Sequence, residues 1–259
     1  NFINFIETLF SDYKKELDEA DDNVSCSSVY GSKDFSLLTH QKIVRDYINL
    51  YTPYRGILLY HGLGSGKTCS SIAIAEGMKT KNTIMVMTPA SLRTNYIEEL
   101  KKCGDALYKK TQFWEFVDIK DKPKYLDTLS EVLSLPKEFI KRSGGAWFVN
   151  VTKEPNFDSL TTEQKNSLDM QLNEMIRGKY NFISYNGLRR SHLDKFTNNY
   201  TINPFDNKVV IIDEVHNFVS RIVNKINKPE SLSVTLYEYL MRAENCRIIM
   251  LSGTPIINY

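Results

Sequence analysis

Four clusters of residues have the types and spacing to handle phosphate groups. The first is Gly62-Leu63-Gly64-Ser65-Gly66-Lys67-Thr68. Its glycines let backbone N–H groups converge on an anion without Cβ interference, and a helix opening at Lys67 adds positive potential. In such a loop the lysine reaches the β- and γ-phosphates of a nucleotide, and the threonine hydroxyl binds Mg2+. The second is VVIIDEVH, residues 209–216, where Asp213 and Glu214 end an apolar run. A strand-end carboxylate can hold the same Mg2+ as Thr68, and the next one can polarise an attacking water. The third is RIIMLSGTP, residues 247–255, whose Ser252 and Thr254 hydroxyls can bond those carboxylates. The fourth is MTPASLRTNY, residues 87–96. There Thr88, Pro89, Ser91 and Arg93, at the start of a helix, could grip the phosphates of a nucleic-acid strand. Capping of that helix by Thr88 or Ser91 explains the hydroxyls equally well.

These side chains need strand ends and helix starts to hold them. Hydrophobic runs predict buried strands at 57–60, 83–88, 180–184, 208–213 and 247–251, and helices at 67–79, 90–102 and 231–243. Runs such as 209–212 and 248–251 are apolar without alternation, as in parallel strands covered on both faces. Ligands bind such sheets beyond the strands' carboxyl ends, where each cluster falls. Upstream, Phe2, Phe5, Ile6, Leu9, Tyr13 and Leu17 predict an amphipathic helix over 2–19, followed by an acidic, Ser-rich linker over 18–32. Residues 39–51 form a second predicted helix, with Ile43, Tyr47 and Leu50 toward the core.

Residues 104–178 break the strand–helix rhythm with Trp114, Trp147 and three prolines. One helix is expected there, from a capping box at 161–164, burying Leu168, Leu172, Met175 and Ile176. The fold class is therefore α/β: a mostly parallel central sheet with helices on both faces, plus an inserted α+β subdomain. The domain plan is an N-terminal helix and linker over 1–34, then a nucleotide-binding domain over 35–259 with its insertion at about 104–178.

Bulk properties narrow the classes. With 33 basic and 31 acidic residues the net charge is +2, so any nucleic-acid footprint must be local. The four cysteines lack the C-x-x-C spacing of a zinc site. No apolar run approaches the roughly 20 residues of a membrane span. Lys101, Lys102, Lys109, Lys110, Lys120, Lys122 and Lys124 lie among aromatics, but Asp105, Glu115, Asp118 and Asp121 dilute them. A solvated face fits that mixture better than a nucleic-acid patch. The chain opens at Asn1 and stops at Tyr259 just past a motif, which reads as an excised fragment.

In their order, the motifs resemble the first RecA-like domain of superfamily 2 helicases and translocases. GLGSGKT matches motif I, TPASLRTNY motif Ia, FISYN at 182–186 lies near motif Ib, DEVH is motif II and LSGTP motif III. His61 stands where the phosphate-loop pattern has glycine, a form motor ATPases tolerate better than GTPases do. The Asn-Lys-x-Asp of GTPases fails at Asn227, and the Ser-Gly-Gly-Gln of ABC ATPases fails at Ala146. LSGTP and TPASL lean toward chromatin remodellers. The whole set, with its long insertion, looks more like the helicases and transcription-associated NTPases of large nucleocytoplasmic DNA viruses, of the poxvirus early-transcription-factor type.

The resemblance implies ATP and Mg2+ as cofactors, with Lys67 and Thr68 on phosphate and metal, Asp213 on the metal and Glu214 as general base. It puts Gln41 on adenine and makes His216, Ser252 and Thr254 couple the ATP and nucleic-acid sites. It also implies a second RecA-like domain, absent here, that supplies arginine fingers worth roughly 10³–10⁵ in rate. The isolated chain should then bind nucleotide but hydrolyse it slowly. Two functions follow: an ATP-driven motor on DNA, or less favourably RNA, or an ATP-switched scaffold in a viral transcription initiation or termination complex. Glu214 favours the motor; the aromatic insertion suits a viral RNA polymerase or transcription-factor partner. The expected location is intracellular, in host cytoplasm and the virion, with no membrane partner.

Overall fold

The computed structural model describes residues 2–23, 37–48, 52–60, 62, 64–79, 82–120, 124–228 and 230–254. Expectations for His61, Leu63, Pro255 and the linker beyond Asn23 lie outside the described residues. The chain divides into two compact units, Asn1–Arg93 with Phe182–Tyr259, and Thr94–Asn181.

The first unit opens with α1 (Phe2–Leu9), α2 (Ser11–Asn23) and α3 (Thr39–Asp46). The single helix expected over 2–19 is thus two helices, broken at Phe10. The helix continues through Asp18 to Asn23, where a linker was expected. No residue of α1 is buried. Instead Tyr13 of α2 donates its hydroxyl to Asp46 of α3 at 2.5 Å, and Lys42 pairs with Glu16 at 3.3 Å.

From there strands and helices alternate: β1 (Gly56–Tyr60), α4 (Lys67–Met78), β2 (Thr83–Thr88) and α5 (Arg93–Cys103), the last leading into the second unit. In that unit lie β3 (Trp114–Asp118), α6 (Tyr125–Leu133), α7 (Lys137–Ser143), β4 (Gly145–Val149) and α8 (Thr162–Lys179). The chain then returns through β5 (Tyr180–Ser184), α9 (Arg190–Phe196), β6 (Lys208–Ile212), α10 (Val215–Val223), α11 (Leu232–Arg242) and β7 (Arg247–Ser252). The main sheet runs β1-β7-β6-β2-β5, and β1–β7, β7–β6 and β6–β2 are parallel.

Side-chain alternation gives each strand two faces. Met85, Met87, Val210, Ile212 and Ile248 join Ile183, Val215, Phe218, Ile222, Leu236 and Leu240 in one apolar cluster, which covers one face with α10 and α11. Residues of opposite parity, Ile84, Val86, Val209, Ile211, Ile249 and Leu251, are at most 1% exposed on the other face. There α4, buried through Cys69–Ala75, packs on β6 and β7. One strand departs from the expected pattern. β1 lies at the sheet's edge among the described residues, with Leu58 45% and Tyr60 60% exposed, so only Leu59 of its centre is buried.

The second unit pairs β3 with β4 as an antiparallel ribbon, and neither strand was expected from sequence. Gln171, on α8, completes it: its Oε1 accepts from the Trp147 N–H and its Nε2 donates to the Trp147 carbonyl, both at 2.7 Å. α8 begins at the expected capping box. Thr161 Oγ1 accepts from the Gln164 N–H at 3.3 Å, and Gln164 Oε1 accepts from the Thr161 N–H at 2.9 Å. It buries Leu168, Leu172, Met175 and Ile176 as expected, and Gln171 besides. Lys101 corrects the solvated-face reading of the lysines: it is 3% exposed and pairs with Glu98 and Asp169, both at 2.7 Å.

Candidate nucleotide site at the carboxyl edge of the sheet

Parallel register brings the distant motifs together. Tyr60, before the glycine loop, pairs with Ser252, Met250 with Ile212, and Ile212 with Met87. The loop, the Asp213-Glu214 turn, Thr88 and Ser252 therefore all emerge at one edge of one sheet. No local stretch of sequence requires this; the crossovers do it.

In the loop, Gly64 and Gly66 have φ of +78° and +73°, a region that side chains rarely adopt. At Gly66 a Cβ would also lie 2.4 Å from Gln41 Nε2. That amide nitrogen donates to the Gly66 carbonyl at 3.2 Å, while Gln41 Oε1 accepts from the Leu38 N–H at 3.0 Å. Gln41, expected at adenine, is 2% exposed and braces the loop. His40 adds a second brace that sequence reasoning missed, with Nε2 3.3 Å from the Ser65 carbonyl. Lys67 donates to the Gly62 carbonyl at 2.9 Å, and the Ser65 hydroxyl donates to the same oxygen at 2.8 Å. Thr68 follows, half-buried in the first turn of α4.

The carboxylate turn is held under strain. Glu214 has φ +49°, uncommon for a residue with a side chain. Asp213 donates its N–H to Met87, and its Oδ1 accepts from the Glu214 N–H at 3.0 Å. Burial pushes the Asp213 carboxyl up to about 6, helped by the Glu214 charge; the Glu214 N–H, the Thr88 hydroxyl and Lys67 pull the other way. Tyr185 fixes this turn from below: its hydroxyl faces the carbonyls of Asp213 at 3.0 Å and Glu214 at 3.1 Å. Burial first, then those two acids, raises its pKa. The sequence carried a faint signal for Tyr185, a tyrosine just past a strand end.

Glu214, His216 and Ser252 form a chain across the turn. His216 Nδ1 lies 3.4 Å from Glu214 Oε2 and 3.0 Å from Ser252 Oγ. Thr254 joins through its backbone N–H, which donates to Ser252 Oγ at 3.1 Å, while its own side chain is exposed. Of the four residues expected at a nucleic-acid strand, only Ser91 and Arg93 are exposed; Arg93 sits 5.2 Å over the Phe182 ring. Thr88 is 1% exposed with its hydroxyl 3.5 Å from Asp213 Oδ2, and Pro89 is buried, so neither faces a strand in this conformation. Pro89 occupies the N-cap position of the short 3-10 turn Ala90–Leu92 that leads into α5, and no side chain makes a capping bond there.

Residues 34–257 match the family described as the res subunit of type III restriction enzymes. The chain belongs to that family. As a ResIII domain it is a helicase-type ATPase, and the superfamily 2 resemblance of its motifs holds. A protein of Acanthamoeba polyphaga mimivirus, carrying the name of an ATP-dependent RNA helicase, is 29% identical over all of this chain and 36% of its own length. A termination factor NPH-I homolog of African swine fever virus is 23% identical over 78% of this chain and 20% of its own length. The ResIII domain thus spans about a third or less of these viral relatives. Among solved structures, a Sulfolobus solfataricus SWI2/SNF2 ATPase core in complex with double-stranded DNA matches 86% of this chain and 33% of its own, with 17% identity and a TM-score of 0.42. That likeness is too slight to add to the strand order. Among the described residues, no helix is long and apolar enough to cross a membrane.

Proposed function

We propose that this chain is the ATP- and Mg2+-binding half of a motor that moves on nucleic acid, with DNA the favoured track. The observation that supports it is the convergence of glycine loop, Asp213-Glu214 turn and His216–Ser252 chain on one sheet edge. The donor set suits a metal–nucleotide complex. Gly64 and Gly66 shape a backbone cradle, Lys67 is an ammonium that donates to the loop's Gly62 carbonyl, and Asp213 is a buried acid crowded by Glu214. Mg2+, when bound, neutralises phosphate charge, and Thr68 with Asp213 would hold it.

Each residue then has a task. Lys67 exchanges the Gly62 carbonyl for phosphate oxygens, and Gln41 keeps the loop in register, with adenine as the ligand expected beside it. Glu214 takes the proton of the attacking water, at the end of a turn fixed by Tyr185. His216, Ser252 and the Thr254 backbone carry the state of Glu214 toward a strand held near Ser91 and Arg93. The names of the relatives, an RNA helicase and a termination factor homolog, are consistent with work on transcripts or templates. We assign the 104–178 insertion to a partner such as a viral RNA polymerase or transcription factor.

The test is ATPase rate in the intact protein, with and without DNA or RNA, for wild type and Glu214→Gln. Loss of the general base should lower the rate about 10²–10⁴-fold while ATP still binds. An unchanged rate would remove Glu214 from the chemistry.

A further inference from the structure

A cavity of about 290 Å3 opens at the corner between α10 and α11, lined by Arg221, Lys225, Lys228, Ser231, Ser233 and Tyr185. Its three cations share no ion pair among the described residues, unlike several lysines elsewhere. Lys42, Lys79, Lys101, Lys102, Lys110, Lys137, Lys141 and Lys153 are each in an ion pair. Among the described residues, Arg221, Lys225 and Lys228 are in none, although Glu230 also lines the cavity. Three cations within eight residues repel one another and gain nothing from one another's company, so their grouping calls for an anion.

The hydroxyls point the same way. Ser231 occupies the N-cap position of α11, where a serine ordinarily accepts a backbone N–H, yet it makes no capping bond. Its Oγ is buried and has no hydrogen-bond partner. Ser233, two residues further on, is 8% exposed and lines the same wall. A buried hydroxyl without a partner is costly unless something else fills the role. The first N–H groups of an eleven-residue helix stand beside it, and helix starts favour anions.

We propose that this corner binds a backbone phosphate of a nucleic-acid strand. Arg221, Lys225 and Lys228 supply charge; the Ser231 and Ser233 hydroxyls and the start of α11 bond the non-bridging oxygens. This rests on the motor reading above and gives it a second anchor. The exposure of Lys225 and Lys228 suits a polymer that passes across the opening rather than a small ligand sealed inside. Tyr185 links the anchor to the chemistry, because this lining residue also holds the Asp213 and Glu214 carbonyls.

Binding of a labelled oligonucleotide to the intact protein, over a range of salt, tests the site. The variants are Lys225→Gln with Lys228→Gln, and separately Ser231→Ala. The double variant should bind about tenfold more weakly, and its log affinity should fall less steeply with log salt, by about 0.7 per lost contact on single strands or 0.9 on duplex. Ser231→Ala should also weaken binding although it breaks no hydrogen bond of the free protein, and its thermal stability should not fall below that of the wild type. Nucleotide affinity should stay at the wild-type level in both. Wild-type affinity and salt slope in the variants would overturn the anchor and leave the motor reading intact. Failure of the wild type to bind any oligonucleotide would overturn both. Loss of inorganic phosphate binding with oligonucleotide binding untouched would reassign the cavity to a free phosphate and overturn the strand assignment.

Discussion

In the Thr94–Asn181 unit, polar groups taken out of water are matched to one another. Lys101 is buried between Glu98 and Asp169, Lys110 shares Asp169 at 2.8 Å, and Gln171 satisfies both backbone groups of Trp147. The sheet unit does the opposite at two places. Asp213 is a buried acid raised to about 6 beside a strained Glu214, and the α10–α11 corner collects three unpaired cations and a stranded hydroxyl. Closed networks hold a fold together, whereas open ones are incomplete until a ligand arrives. The two open places are the two sites proposed above.

Asp213→Asn should give the largest break in that contrast. A carboxyl raised in the fold keeps its proton more tightly in the native chain than in the unfolded one. Stability therefore falls as pH rises from 3.8 to about 6 and stays lowered above. The variant lacks this burden, so at pH 7 it should be more stable by about 1–3 kcal/mol, while hydrolysis drops at least about 100-fold. Thermal melts at pH 7 and pH 4 check the sign: the variant's advantage should shrink at the lower pH. Equal melting temperatures at pH 7 would mean Asp213 is not strained.

Gln171→Leu comes next, in the closed unit. It leaves the Trp147 N–H and carbonyl without partners and should cost about 3 kcal/mol in a chemical melt. A neutral result would show that this network contributes little. The smallest effect belongs to the corner: Lys225→Gln should move stability by no more than about 0.5 kcal/mol, since no native ion pair is lost. A clear destabilisation would argue that these cations are structural.

Much of this was legible from residues alone, for identifiable reasons. The uninterrupted apolar runs at 209–212 and 248–251 became central parallel strands, because burial on both faces leaves no room for alternation. The Thr161–Gln164 capping box began α8 as expected. β1 was misread as buried because its four apolar residues say nothing about which strands flank it. β3 and β4 escaped notice because Phe116 and Phe148 face outward, 41% and 39% exposed, and blur the alternation. The roles of Tyr185 and Thr88 depend on contacts with Asp213, 28 and 125 residues away in sequence, which only the crossovers create.

The central claim is that the loop of Gly62, Gly64–Gly66, Lys67 and Thr68 cradles nucleotide phosphates. Calorimetric titration of ATP with Mg2+ into the wild type and Lys67→Ala tests it directly. Removing an ammonium that bonds charged phosphate oxygens should weaken binding by about 1.5–3 kcal/mol, roughly tenfold or more. Equal affinities for the two proteins would contradict it.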